Sequence, residues 1–256
     1  MKKIFIYLLL ILNNNLIAQD NNIKIDNTIE LSSQLLITSK LDIDKNYPAQ
    51  ASDFSSAPAL AFQFNLIWHK EFSKKWYYQF GVMGGMYGYR QKVRTQENFI
   101  ELGFPTDLDS RSTLLSSRFA GINIGGNYHI ITRENEILSL GIGLNSYFFP
   151  TTGISSSVSA KPDNQPIKRL FSSSVDSYDH RKIFFAPELN ISYFKKLSRR
   201  INLKCAISYT YSGSKIFIGD YALFGDDETL DGRYALKLQH LGISVGILYS
   251  PRKNKN

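Results

Sequence analysis

Residues 119–149 read FAGINIGGNYHII, TRENE, ILSLGIGLNSYFF, two alternating arms joined by a polar turn. In the first arm Ala120, Ile122, Ile124, Tyr128 and Ile130 share one parity, and Gly121, Asn123, Gly125, Asn127 and His129 share the other. The second arm sets Leu138, Leu140, Ile142, Leu144 and Phe148 against Ser139, Gly141, Gly143, Asn145 and Tyr147. A period of two places these sets on opposite faces of a strand. The polar stretch 132–136 closes a hairpin between the arms.

The same unit recurs outward in both directions. Alternation and turn signals predict eight strands, at 28–40, 58–70, 76–92, 114–131, 137–149, 182–195, 201–212 and 234–250. The connections between them alternate long (41–57, 93–113, 150–181, 213–233) and short (71–75, 132–136, 196–200). That sorting fits a barrel with short turns at one end and long loops at the other. A lipocalin-like or sandwich fold is the rival. Pro187 predicts a bulge in the sixth strand. In the eighth strand the apolar parity switches from Tyr234, Leu236 and Leu238 to Leu241, Ile243, Val245 and Ile247, which predicts a bulge near Gln239 and His240.

Lys2 and Lys3 precede the apolar run 4–12, and a cut after Ala18 is expected, so 1–18 reads as a signal peptide. That leaves one domain, 19–250, and a short periplasmic tail, 251–256. No later run approaches the roughly 20 apolar residues of a membrane helix. A mean hydropathy of −0.20 suits a membrane barrel, because half of each strand and all the loops are polar. The single cysteine, Cys205, shares the parity of Ile201, Leu203 and Ile207, and excludes an internal disulfide or a cysteine metal cage. The net charge of +8 comes without any nucleic-acid-binding motif, so nucleic acid is not an expected partner.

The layout resembles the small OmpA/OmpX-type barrels and in particular the outer-membrane β-barrel proteins of Bacteroidota. The resemblance covers 19–250 and rests on the leader ending Ile17, Ala18, Gln19, Asp20, on the eight alternating segments, and on the last strand LGISVGILY. That strand is similar to the C-terminal signal of barrel assembly, although residues follow Tyr249. The resemblance implies an all-β, eight-stranded antiparallel up-and-down transmembrane barrel in a Gram-negative outer membrane. It implies a structural, adhesive or accessory role, such as a subunit of a barrel-assembly or secretion complex. A small porin or a lipid A-modifying enzyme is the alternative.

Candidate sites follow from parity. Glu30, Glu188, Lys204, His69 and His129 face the predicted lumen, where isolated charges are costly and should pair. Glu30 and Lys204 lie near the same end and are expected to meet. The lumen is either a polar plug or a gated ion path, and an eight-stranded interior favours the plug. Gly81, Gly85, Gly121, Gly125, Gly141 and Gly143 bare one lumen wall, for large neighbours or for a small-molecule cavity. His69 and His129 find no third ligand, so no metal is expected, and no cofactor either. The His-x-Ser pattern of outer-membrane deacylases is missing, His240 and Ser244 being four apart. Arg90, Lys92, Arg94, Arg181 and Lys182 are candidates to touch outer-membrane lipid and lipopolysaccharide, with solvated loop charge as the alternative. Phe99, Ile100, Phe104, Phe217 and Phe224 are candidate partner-surface residues for other outer-membrane or periplasmic proteins. The run 225–232 offers oxygen ligands without the spacing of an EF-hand.

Overall fold

A computed structural model describes residues 23, 25–46, 53–94, 111–150, 153–160, 168–177, 183–224 and 229–251. They form twelve antiparallel strands, with no helix among them. These are β1 (Thr28–Thr38), β2 (Asp42–Lys45), β3 (Asp53–Ala57), β4 (Leu60–Glu71), β5 (Trp76–Arg94) and β6 (Arg111–Arg133). Then come β7 (Glu136–Phe148), β8 (Gly153–Ala160), β9 (Lys168–Ser177), β10 (Ile183–Lys196), β11 (Ile201–Phe224) and β12 (Thr229–Tyr249).

Neighbouring pairings run β1–β4–β5–β6–β7–β10–β11–β12, and β12 pairs β1 again, from Ile29 with Tyr249 to Thr38 with His240. The ring is closed, so none of these strands presents a free edge along that ladder. The remaining strands lie above the ring. β2 pairs β12, β3 pairs β5, and the β8–β9 hairpin pairs β11. The expected count of eight strands is therefore too low, because the stretches 41–57 and 150–181 carry strands of their own, while 213–233 extends β11 and β12. Their polar composition hides them; extended β5, β11 and β12 supply the hydrogen-bonding edges that order them. The predicted signal peptide and tail lie outside the described residues, apart from Pro251.

Exposure divides the molecule into two storeys. In the lower one the outward faces are apolar: Leu31 is 66% exposed, Ile142 63% and Leu189 57%, with Phe64, Ile124, Val245 and Cys205 on the same belt. Trp68 packs edge-on to Tyr78 with ring centroids 5.5 Å apart, and Trp76 lies 4.9 Å from Tyr128, an aromatic girdle at the end of the short turns. An unbroken apolar belt of this extent suits lipid and not water. In the upper storey the arrangement inverts. Tyr87, Tyr89, Phe119, Phe149, Phe217, Tyr234 and Leu236 fill the inside, while Arg90, Lys92, Arg118, Asp220 and Arg233 face out.

This inversion corrects the predicted bulge at Gln239–His240. β12 keeps one parity through this place, with Tyr234, Leu236, Leu238, His240, Gly242 and Leu248 all pointing inward, although its pairing with β11 is irregular from Gln239 to Leu236. The apolar parity switches because the medium outside the strand changes from lipid to water. The extra residues belong to β11, between Tyr211 and Phe217, opposite Gln239 to Leu236; a second irregularity lies in β6, between His129 and Ile131. Pro187 forms no bulge either. It pairs in register with Leu144 and stands just beyond the β10–β11 ladder, which starts at Glu188. A residue without an N–H donor suits the place where the ladder stops.

Val245→Arg, at mid-height on the apolar belt, should destabilise the protein refolded into vesicles by about 2–4 kcal/mol. Ser174→Arg, equally outward but in the upper storey, should leave urea unfolding nearly unchanged.

Candidate functional site

The interior of the lower storey is polar and built in layers. Glu30 of β1 is buried at 1% exposure, and its Oε2 lies 2.7 Å from His69 Nε2 of β4 and accepts from Lys204 Nζ of β11 at 2.9 Å. One carboxylate oxygen thus meets two cationic or donor groups from opposite sides. Lys204 reaches it across β12, where its register partner is Gly246. The same device is plainer one layer up: Gln34 Nε2 donates to Ser208 Oγ at 2.7 Å directly over Gly242, where a Cβ would collide with the amide.

Glu188 departs from the expected pairing. No cation lies within ion-pair distance of it among the described residues. Its Oε2 accepts instead from Asn145 Nδ2 at 2.9 Å and Thr210 Oγ1 at 3.3 Å. Behind Asn145 runs a relay of amides: Asn127 donates to Gln79, Gln79 to Asn123, and Asn123 to Asn145. Each donor points toward Glu188, so neutral dipoles take the place of a counter-charge. Between the Glu30 and Glu188 groups a cavity of about 30 Å³ remains, bordered by both carboxylates, Lys204 and Ser244. That is room for about one water.

The glycine wall forms no cavity. Gly141 lies beneath the meeting point of Asn127 and Asn190, and Gly125 beneath Gln79. Side chains of neighbouring strands occupy the space that the glycines leave.

Both ends are stoppered. Below, Ile23 and Ile25 tuck into the barrel mouth beside Tyr77, Ile137, Phe194 and Leu248. The Ile25 N–H donates to Glu71 Oε1 at 2.9 Å, and Asn27, at φ 55°, turns the chain into β1. Above, the aromatic core closes the lumen, with Phe149 5.3 Å from Phe217 and His240 wedged between Tyr87 and Tyr147.

His69 and His129 do not converge. The ring of Tyr77 stands between them, 5.6 Å from one and 5.1 Å from the other. An acid–histidine pair, Glu30 with His69, thus lies on one side of Tyr77. A histidine–serine pair, His129 Nδ1 with Ser139 Oγ at 2.8 Å, lies on the other. The parts of a hydrolytic triad are present but are not assembled into one. Among the described residues no group of three metal-ligating side chains forms.

The remaining candidates scatter. Arg90 and Lys92 are exposed on the outward face of β5, and Arg94 ends that strand. Arg181 and Lys182 lie outside the described residues, as do Phe99, Ile100, Phe104 and the segment 225–228. Phe217 is corrected: it is 2% exposed in the upper core and offers no partner surface. Phe224, at the end of β11, is half-buried.

Sequence reasoning missed two features. One is the outward face of the upper sheet, where Ser155 pairs Ser174, Ser157 pairs Ser172, and Asp220 pairs both Ser174 and Arg233. A polar depression of about 570 Å³ opens on this side, with Arg169 and Asp231 on its rim. The other is the contact of Lys237 Nζ with Asp42 Oδ2 at 2.7 Å, which raises the lysine above its ordinary range. The serine run 155–157 was a signal for the first, since it alternates faces once taken as a strand. The second depends on β2, which polarity hid.

No protein-family model and no curated relative matches the sequence. Among solved structures the chain is similar to the outer membrane protein OprG from Pseudomonas aeruginosa, with TM-score 0.47 and 10% identity over 88% of this chain and 95% of that one. It is also similar to the outer membrane protein AlkL, with TM-score 0.41 and 13% identity over 95% and 99%. A third likeness is to the outer membrane protease OmpT from Escherichia coli, with TM-score 0.37 and 9% identity over 92% and 99%. At these identities and scores the likenesses carry no argument about activity.

Breaking the Glu30 site should be costly. Lys204→Met should lower stability by about 3–5 kcal/mol, as removing one member of a buried ion pair does. Glu30→Gln combined with Lys204→Met should cost less than the sum of the single changes. Urea unfolding of the reconstituted protein checks both.

Proposed function

We propose that this chain is an integral outer-membrane barrel with eight transmembrane strands, and that it works without catalysis, as an interaction protein at the cell surface. The observation that carries the reading is the two-storey build. A crossing needs about 9–11 residues per strand, yet β5 has 19, β6 has 23, β11 has 24 and β12 has 21. The surplus is folded, not loose: it continues the barrel ladder into a body with its own aromatic core. A rigid platform held clear of the membrane suits presentation of a surface to another molecule. The serine- and charge-bearing outward face of β8, β9, β11 and β12 is the surface it presents. Service as an accessory subunit of an envelope complex, or as an adhesion protein, follows from such a platform. The resemblance to Bacteroidota barrels supports the same assignment.

The rival porin reading needs a continuous aqueous path. The Ile23–Ile25 stopper, the filled polar layers and the aromatic core all oppose one. In planar bilayers the purified protein should give no stable single-channel steps, and regular steps would contradict this reading. Tagged protein drawn from its own membrane in mild detergent should bring a stoichiometric partner. Ser155→Arg with Ser174→Arg should release that partner while leaving the barrel folded.

A further inference from the structure

The bulge in β11 stands at one particular height. Below it Tyr209 and Tyr211 point outward, Tyr209 accepting from Gln239 Nε2 at 2.6 Å. These are the last outward rings of the apolar belt on this strand. Directly above, Ser212, Gly213 and Ser214 leave the ladder, and Lys215 returns to it opposite Lys237. Lys215 is fully outward and Lys237 half-exposed.

Two like charges facing each other across a ladder repel, so this pair opposes the fold unless an anion lies between. Asp42 answers only Lys237; no acid pairs with Lys215 among the described residues. Lys40, exposed and next to Ser39, whose N–H donates to Gln239 O, adds a third positive charge near the same edge. Three lysines against one aspartate leave a net positive patch. The bulge itself is built of small residues, and the Ser214 N–H turns back onto Ser212 Oγ at 3.2 Å. Nothing lies within 4 Å of where a Gly213 Cβ would be. The backbone at this point is open to an approaching ligand.

The same height is marked on the far side of the ring. Arg118 is the first outward residue above Ala120 and Ile122 on β6, and Arg90 follows on β5. Hence cations gather where the apolar belt ends, just above the outer aromatic rings. Phosphate groups of a lipid leaflet lie at that level when the acyl chains cover the belt.

We infer that the β11 bulge with Lys215 and Lys237 is a binding site for the phosphorylated headgroup of an outer-leaflet lipid of the lipid A type. The acyl chains lie down the belt over Tyr209, Tyr211 and Ile207. The phosphate bridges the two lysines and removes their repulsion, as charge-assisted bonds to both. This rests on the membrane-spanning reading proposed above.

The test uses the full-length protein. Flotation with phosphatidylcholine vesicles comes first: protein that stays at the bottom overturns the spanning reading and this site with it. Protein that floats is titrated in detergent with bisphosphoryl lipid A, and bound lipid is counted by native mass spectrometry. Lys215→Gln with Lys237→Gln should bind roughly thirtyfold more weakly, the effect of two lysines at a charged membrane surface. Asp42→Asn should bind more tightly, because it frees Lys237. Lys74→Gln with Lys75→Gln, at the opposite end, should bind as the parent does. Equal binding by the parent and the Lys215/Lys237 variant, or equal loss in the Lys74/Lys75 variant, would overturn the site. Full competition by inorganic phosphate would assign it to free phosphate and overturn the lipid.

Discussion

In hydrocarbon a backbone N–H without an acceptor costs several kcal/mol, because no water is there to take its place. β12 must therefore find a partner on each edge, and it does: β1 on one side and β11 on the other. Everything else in the lower storey depends on that closure. Closure fixes which parity faces in and brings Glu30 and Lys204, 174 residues apart in sequence, within one strand of each other. It also makes the glycines of β12 necessary, because inward side chains of β1 and β11 must pass over that strand to meet. Ring closure and luminal chemistry are one constraint seen twice.

The interior handles its two carboxylates differently. Glu30 is held by a lysine and a histidine on one oxygen, whereas Glu188 ends a line of amide donors. Both arrangements satisfy a buried carboxyl group, and both fix register, since a slip of one residue would turn every member of the network into lipid. The layers leave space for about one water and are capped by apolar side chains at each mouth. The lumen therefore serves the barrel as a core, and the proposed recognition surfaces lie outside it, on the upper sheet and at the boundary between the storeys. At that boundary burial also raises the pKa of the Tyr89 phenol, packed against Tyr234 in the dry upper core.

Much of this was legible in residues 119–149 and their repeats. Alternation alone identifies the inward set, because in a barrel each strand has one wet or packed face and one lipid face. The Glu30–Lys204 approach followed from parity and height. Three things were not legible. Apolar parity says which face avoids water, not which medium lies beyond it, so the change of storey in β12 looked like a bulge. Ser-rich β8 and β9 looked like loop because their order comes from the edge of β11 and not from their own composition. Phe217 looked like a partner surface because the upper core that buries it is assembled from four separate connections. Glu188 could not be placed either, since its donors depend on register across β5, β6, β7 and β10.

Along the one unbroken strand β12, lipid ends and water begins between Leu241 and Arg233. A nitroxide scan of β12, with Cys205 replaced by Ala, measures this through collision with oxygen and with a water-soluble nickel chelate. Labels at Leu241, Ile243, Val245 and Ile247 should collide with oxygen and exclude nickel, while labels at Asp231 and Arg233, outward on the same strand, should do the reverse. Nickel access at all six positions would contradict a membrane-embedded lower storey, and oxygen-dominated signals at all six would contradict the boundary.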